Sequence, residues 1–207
     1  MLASAFLLAA TILVPTVSIA AHTSPEIDHI DPKCPPSTFS GFESNVFQYN
    51  VPAERFYNKT GSFFRSEWYT GPLTSTHGTD NTVGATRSGN YSGTFFTERL
   101  VGYSRSPDEL VMRFTLATPG GVVFSGARIK SYTEEMRVMS ICGGSATYFS
   151  MTAVFCADKV GKVYDLYDGL RRAAVGAVAE QLGALVFDGT CPATPVNDVL
   201  DVDFLLL

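Results

Sequence analysis

Two charged residues, Arg87 and Glu98, interrupt an otherwise apolar strand face in residues 84–100. The segment is typical of two strands around a turn, and pairing Arg87 with Thr94 places Arg87 and Glu98 on the same, more apolar face. Because a buried lone charge is costly, we expect the two side chains to pair with each other or with a bound polar group. They are therefore candidate catalytic residues, suited to orienting or polarising a ligand carbonyl or enol.

Two alternatives to this interpretation stay open from the sequence. One is a structural ion pair, half solvated near the mouth of the fold. The other is a register slip of one residue, which turns both side chains outward because successive strand residues alternate between faces.

Two tyrosines, Tyr164 and Tyr167, are the other candidate catalytic residues. They lie on the apolar stripe of a long helix that we predict over residues 160–186, where apolar residues recur at helical spacing. A phenol can donate a hydrogen bond to an oxyanion or exchange a proton. Core packing with a satisfied hydroxyl is the alternative for both residues.

Several function classes lack their usual signatures. The sequence has no G-x-S-x-G, no P-loop, no H-E-x-x-H and no dinucleotide fingerprint. The four cysteines have no metal-ligand spacing with a histidine. The net charge is −5 and basic residues do not cluster, which argues against a nucleic-acid partner. We therefore expect no metal, no cofactor and no nucleic acid.

Residues 1–20 predict a secretory signal peptide. Residues 2–20 are uncharged and mainly apolar, and Ser18 and Ala20 are small residues at the positions that a signal peptidase reads. A membrane anchor is the weaker alternative because the apolar run is short and has no basic flank. We expect a protein of the secretory lumen or the exterior, without a stable membrane anchor after cleavage.

Two further features fit a secretory protein. Sequons at Asn58 and Asn90 predict N-glycosylation. An oxidising compartment favours two disulfides among the four cysteines, for which three pairings are possible. The cysteines are Cys34, Cys142, Cys156 and Cys191.

The remaining patterns predict an α+β fold. A curved antiparallel sheet folded around the long helix is expected, since an amphipathic helix cannot bury its apolar stripe alone. We predict an irregular segment over 21–42, one domain over 43–190 and a tail over 191–207. Within the domain we expect strands over 45–51, 83–88, 94–103, 110–118 and 145–155. We also expect short helices over 55–68 and a loop over 70–80. Residues 122–141 are expected to form either one strand or two strands separated by a break near 133–135.

Four segments, in this order along the chain, carry a family resemblance. They are VFQYNVPAERFYN (46–58), FFRSEWYTGP (63–72), VGATRSGNYSGTFFTERLVGYS (83–104) and GGSATYFSMTAVF (143–155). Together with the long C-terminal helix, they resemble the START-like superfamily of helix-grip proteins, which includes polyketide cyclases (SRPBCC). In overall character the chain is similar to secreted fungal hetero-Diels–Alderases of tropolone–terpenoid biosynthesis.

The resemblance implies a sheet that curls around the helix and encloses an apolar cavity for a bulky hydrophobic molecule. It implies a cofactor-free cyclase that folds a polyketide or terpenoid intermediate and steers ring closure. A non-catalytic carrier of a lipid, sterol or polyketide, or a secreted interaction protein, is the alternative. The ligand-binding residues expected on this basis are Trp68, Phe96, Met112, Phe114, Phe149 and Met151.

The disulfide pairing also depends on the resemblance. A Cys142–Cys156 bond is disfavoured because the strand between them spans about 36 Å at about 3.3 Å per residue. In a helix-grip fold the last strand ends beside the beginning of the first, and the helix returns to the start of the last strand. The resemblance therefore implies Cys34–Cys156 and Cys142–Cys191.

Overall fold

A computed structural model describes residues 33–191, so the predicted signal peptide and nearly all of the predicted tail lie outside the described residues. The described chain forms one sheet, two short helices and one long helix. In chain order these are β1 (Phe39–Tyr49), α1 (Ala53–Thr60), α2 (Glu67–Thr70), β2 (Leu73–His77), β3 (Thr86–Tyr91), β4 (Thr94–Arg105), β5 (Glu109–Leu116), β6 (Val122–Phe124), β7 (Ala127–Ile141), β8 (Ala146–Ala157) and α3 (Val160–Gln181).

The strands form one curved antiparallel sheet, as predicted. Its order is β1-β8-β7-β5-β4-β3-β2, and β6 pairs with β7. The helix α3 packs against the concave face of this sheet with residues spaced three or four apart, which share one face of a helix. The buried residues of α3 are Val163, Tyr167, Arg171, Ala174, Val175, Val178 and Ala179.

Two disulfides tie the ends of the fold to the sheet. They join Cys34 to Cys156 and Cys142 to Cys191, which is the pairing that the resemblance implied. The register explains the first bond, because Ser40 near the start of β1 lies opposite Cys156 at the end of β8. Within residues 33–191, no helix is long and apolar enough to cross a membrane.

Several predicted boundaries were wrong. The strand β1 begins at Phe39 rather than at residue 45, and the predicted loop over 70–80 contains β2. The strand β7 continues through 133–135 without a break. The helix α3 ends at Gln181 rather than at 186, because Gly183 adopts a φ of 62° and the Ala184 N–H bonds back to the Ala179 carbonyl.

The predicted register of the β3–β4 hairpin was also wrong. Arg87 lies opposite Glu98, not opposite Thr94. The turn consists of Ser92 and Gly93, which have φ values of 48° and 82°, as a two-residue hairpin turn requires. The shift from Thr94 to Glu98 is an even number of residues, so it leaves the faces of both strands unchanged.

The turn was predicted at the wrong position because of Gly89. Glycine is a typical turn residue, yet Gly89 lies within β3 opposite Phe96. A Cβ atom at this position would lie 2.9 Å from the Phe96 ring. Gly89 therefore makes room for an aromatic side chain on the concave face rather than for a turn.

Candidate functional site

A cavity of about 50 Å³ lies between the concave face of the sheet and α3. Its charged lining residues are two carboxylates, Glu98 from β4 and Glu134 from β7. Most of the remaining wall is aromatic. The aromatic lining residues are Tyr69, Tyr91, Phe96, Phe124, Tyr132 and Tyr167.

A wider outer pocket of about 450 Å³ adjoins this cavity. Tyr91, Leu166 and Leu170 line both spaces, so these three side chains stand between them. The wall of the outer pocket also contains polar side chains, among them Ser125 and Lys162. The entrance therefore lies between the β3–β4 turn, the β6–β7 turn and α3.

Arg87 and Glu98 form a buried ion pair at the base of the cavity. The Arg87 Nε donates to Glu98 Oε2 at 2.6 Å, and the Tyr132 hydroxyl donates to Glu98 Oε1 at 2.6 Å. Arg87 also donates to the Phe63 carbonyl at 3.0 Å. Arg87 and Glu98 are only 2% and 3% exposed, so neither a half-solvated pair nor an outward slip describes them.

Glu134 is the second carboxylate of the cavity and shares its Oε2 between two donors. The Tyr69 hydroxyl donates to this oxygen at 2.8 Å and Arg171 Nη2 at 3.0 Å. The Tyr167 hydroxyl lies close enough to Glu134 for the two groups to interact electrostatically. Burial and the nearby charge of Glu98 raise the pKa of Glu134 to about 8, although the Tyr69 hydrogen bond lowers it. Glu134 therefore titrates in the range in which a side chain can both donate and accept a proton near neutral pH.

Arg171 connects α3 to three strands from a fully buried position. Its Nη1 pairs with the Glu43 carboxylate of β1 and donates to the Met151 carbonyl of β8 at 3.1 Å. Its Nη2 reaches Glu134 of β7. Burial lowers the pKa of Arg171 to about 9, so the guanidinium remains cationic at neutral pH.

Three tyrosines place neutral hydroxyl groups around the two carboxylates. Burial raises the pKa of Tyr69, Tyr132 and Tyr167 well above the ordinary value, and the adjacent glutamates raise it further. All three phenols therefore stay protonated at neutral pH and act as hydrogen-bond donors. The arrangement combines one titratable acid with several fixed donors at the base of an apolar cavity.

The structure separates the two predicted catalytic tyrosines. Tyr167 is 4% exposed and lines the cavity, whereas Tyr164 is 37% exposed and points away from it. The Tyr164 hydroxyl accepts a hydrogen bond from the Phe42 N–H, and its ring packs on Phe155. The prediction that Tyr164 enters the cavity was wrong because the buried stripe of α3 runs through Val163 and Tyr167.

The predicted ligand-binding residues are also divided. Phe96 lines the cavity, but the other five do not belong to its lining. Phe149 and Phe114 show the reason, because other aromatic rings cover them. Phe56 of α1 packs against Phe149 with the ring centroids 5.6 Å apart. Phe63, in the segment after α1, packs near Phe114 with the ring centroids 6.2 Å apart. These contacts fill that end of the concave face. Met112, Phe114, Phe149 and Met151 are buried core residues, and Trp68 is half-buried against Tyr69.

Sequence reasoning missed the residues that surround Glu134. The signal was present in β7, where Tyr132, Glu134 and Met136 alternate onto one face. It was obscured by the adjacent Glu135, which pairs with Arg113 instead and suggested a break in the strand. Arg171 lies on the predicted helical stripe, but a charged residue on such a stripe is unusual.

The remaining predicted site features stay predictions. Asn58 and Asn90 are both exposed, Asn58 on α1 and Asn90 near the end of β3. Glycosylation of either residue is untested by the fold. Among residues 33–191, no group of three or more His, Cys, Asp and Glu side chains is placed to hold a metal ion.

Replacing Glu134 by glutamine should change how stability depends on pH. The ordinary pKa of this carboxyl is 4.5 and its folded pKa is about 8, so between these values the folded protein keeps a proton that the unfolded chain has lost. The free energy of unfolding of the wild type should therefore decrease as the pH rises from about 5 to about 8, and the variant should lack this contribution.

Urea unfolding at several pH values between about 5 and 8 measures this effect. The stability of Glu134→Gln relative to wild type should increase with pH, whereas Glu180→Gln, on the exposed face of α3, should show no such trend. A constant difference between Glu134→Gln and wild type would contradict the raised pKa.

The chain resembles solved structures in its fold rather than in its sequence. No family model matches the chain, and no curated protein matches it in sequence. Solved structures do match in shape. The protein XoxI from Bacillus cereus has a TM-score of 0.53 at 12% identity, over 68% of this chain and 94% of its own.

Two further structures are similar to the chain. A Thermobifida fusca protein has a TM-score of 0.51 at 20% identity, over 69% of this chain and 93% of its own. Norcoclaurine synthase from Thalictrum flavum, solved with dopamine and hydroxybenzaldehyde, has a TM-score of 0.49 at 11% identity, over 70% of this chain and 88% of its own. At these identities the likeness concerns the fold alone. With its curved eight-stranded antiparallel sheet packed around a long C-terminal helix, the chain has the START-like helix-grip fold.

Proposed function

We propose that this protein is a secreted, cofactor-free cyclase of natural-product biosynthesis. It binds a hydrophobic polyketide or terpenoid intermediate between the sheet and α3 and promotes ring closure, with a hetero-Diels–Alder cycloaddition as its most specific form. One observation carries the proposal: Glu134 and three tyrosines converge on the base of an apolar cavity. A carrier needs only the apolar pocket.

In this proposal each of the two spaces holds a different part of the ligand. The inner cavity of about 50 Å³ holds only the reacting end of a ligand, since pockets for whole drug-sized molecules measure about 300–1,000 Å³. The apolar body of the ligand lies in the outer pocket of about 450 Å³ against Leu166 and Leu170. Tyr91 lines both spaces, so it borders the path between them.

Glu134 acts as a hydrogen-bond donor in the proposed reaction. In its protonated form it donates a hydrogen bond to the carbonyl or enol oxygen of the intermediate, which draws electron density from the reacting system. A cycloaddition forms its new bonds within the substrate and releases no atoms. The proton therefore remains with Glu134 at the end, and no co-reactant is needed. The aromatic walls hold the chain of the substrate in a folded conformation and so supply proximity.

Native mass spectrometry of the secreted protein, mixed with an organic extract of its host, tests ligand binding. Product analysis with candidate polyenes or quinone methides then tests catalysis. We expect Glu134→Gln and Tyr167→Phe to lower the rate of product formation about 100-fold, as loss of one preorganised hydrogen-bond donor does. Tyr164→Phe should leave the rate unchanged because Tyr164 points away from the cavity.

Two outcomes would contradict the cyclase proposal. In the first, Glu134→Gln and Tyr167→Phe fold and turn over normally, which makes these residues structural. In the second, the wild type binds a molecule from the extract and returns it unchanged. That result favours the second candidate function, a non-catalytic carrier. One observation supports a carrier: Glu98 and Glu134 already have hydrogen-bond partners within the chain.

A further inference from the structure

We infer that the ligand of this cavity carries a protonated amine, which binds beside Glu134 among the aromatic side chains. The inference rests on the proposed function only for the location of the pocket. With an ammonium ligand bound, Glu134 is the ionised partner of the cation, and the neutral phenols of Tyr69 and Tyr167 are the hydrogen-bond donors that remain. Its basis is a charge imbalance among the buried side chains of the concave face, at the point where that face borders the cavity.

Three carboxylates and two guanidinium groups are buried on this side of the sheet. The carboxylates belong to Glu43, Glu98 and Glu134, and the guanidinium groups to Arg87 and Arg171. One negative charge is therefore left over when all five groups are ionised. Glu135, also buried, lies on the opposite face and pairs with Arg113 and Arg137, so it does not change this balance.

The hydrogen bonds identify the carboxylate that carries the excess charge. Arg87 pairs with Glu98 at 2.6 Å. Arg171 lies between Glu43 and Glu134, so a single guanidinium serves two carboxylates. Of these two, Glu134 lines the cavity and Glu43 does not. The uncompensated charge therefore borders the space that a ligand would occupy.

A proton or a ligand cation can compensate this charge. In the absence of ligand the proton does so, which agrees with the raised pKa of Glu134. An ammonium group binds ionised Glu134 more strongly than a neutral ligand binds protonated Glu134. The reason is that a hydrogen bond from a cationic donor to a carboxylate is about twice as strong as one between neutral groups. The same negative charge disfavours an anionic ligand, and among the described lining residues of the inner cavity none is positively charged.

The aromatic walls favour the same ligand. Six of the residues that line the cavity are aromatic, and the face of an aromatic ring attracts a cation within about 6 Å. The interior already uses this interaction for its own cations. The Arg171 Cζ lies 4.6 Å from the centre of the Tyr167 ring, and the Arg87 Cζ lies 4.4 Å from the centre of the Phe63 ring.

The inference includes a dependence of binding on pH. Besides Arg171 and Tyr167 of α3, the groups that act on Glu134 are Tyr69 of α2, Arg87 of β3 and Glu98 of β4. The phenols stay neutral, and each guanidinium is held by a carboxylate, so Glu134 is the group that changes charge. An ammonium ligand displaces its proton. Its affinity should therefore increase with pH by up to about tenfold per unit below about pH 8, with proton release on binding.

Isothermal titration calorimetry of the secreted protein with two matched probes tests the inference. The probes are benzylammonium and benzyl alcohol, which differ mainly in charge. We expect benzylammonium to bind at least tenfold more tightly at pH 7. Titration in buffers of different ionisation enthalpy should show that a proton is released, and Glu134→Gln should bring the affinity ratio of the two probes close to one. Glu180→Gln, an exposed carboxylate on α3, should leave the ratio unchanged.

The possible failures are distinguishable. Equal affinities for the two probes would overturn the inference and leave the proposed pocket intact. Binding of neither probe would overturn the inference together with the ligand pocket on which the proposed function depends. If Glu134→Gln does not fold, the pH dependence and the proton release of the wild type still decide: a pH-independent affinity without proton release overturns the inference.

Discussion

Replacing Arg171 by methionine should destabilise the protein by about 3–5 kcal/mol, the usual cost of removing one partner from a buried ion pair. The Arg171 side chain is fully buried, and its guanidinium reaches Glu43, Glu134 and the Met151 carbonyl. Methionine fills similar volume but leaves the Glu43 carboxylate without its cation and Glu134 without one of its hydrogen-bond donors. Chemical denaturation at constant pH measures the loss.

Two control variants separate this effect from a general effect on α3. Arg172 is the next residue, but its side chain is 68% exposed and pairs with Asp168 at the surface. Arg172→Met should therefore cost less than about 1 kcal/mol. The triple variant Glu43→Gln, Arg171→Met, Glu134→Gln removes all three ionisable groups together. It should be more stable than Arg171→Met alone, because no carboxyl group is left without its partner. Equal stability of Arg171→Met and Arg172→Met would show that the buried network contributes nothing.

The fold could be predicted from the sequence because its evidence is local and redundant. Several segments alternate apolar and polar residues as strands do, and one long segment has an apolar stripe at helical spacing. Errors at single boundaries therefore did not change the predicted architecture. The β3–β4 hairpin shows this tolerance. Its register was misplaced, yet the faces of Arg87 and Glu98 were assigned correctly because strand faces depend only on whether the shift is even or odd.

The cavity was harder to predict because its position depends on which side chains fill the rest of the concave face. The strand pattern marks Met112, Phe149 and Met151 as inward-facing, and they are buried. It does not reveal that α1 and the segment after it cover that end of the sheet, where Phe56 packs on Phe149. Such packing joins residues far apart in sequence, and only the folded chain brings them together.

The acid of the site was missed for a related reason. Glu134 and Glu135 adjoin in sequence but lie on opposite faces, and they differ in function because their partners differ. Glu135 meets arginines on the other face, while Glu134 meets two tyrosines and shares Arg171 with Glu43. No local pattern distinguishes two neighbouring carboxylates in one strand. The distinction comes from α2 and α3, whose side chains reach Glu134 from across the core.

Removing the disulfide between Cys34 and Cys156 should cost about 2–5 kcal/mol of stability, as for native disulfides in small secreted domains. The two cysteines are 122 residues apart, against 49 for Cys142 and Cys191. A crosslink restricts the unfolded chain more when the loop is longer, so loss of the first bond should exceed loss of the second by roughly 1 kcal/mol.

The position of the first bond strengthens this expectation. Cys156 is a buried residue of β8, a strand in the interior of the sheet, and its partner holds the segment that leads into the edge strand β1. β1 carries Glu43, one of the carboxylates that Arg171 requires, so loosening β1 also weakens the network beneath the cavity. Cys142, by contrast, is half-buried beside the β7–β8 turn, and its bond ties only the segment that follows α3. Paired alanine variants, unfolded in urea without reductant, compare the two bonds directly. A larger loss for Cys142→Ala, Cys191→Ala than for Cys34→Ala, Cys156→Ala would show that neither loop length nor the anchoring of β1 governs the contribution of these crosslinks.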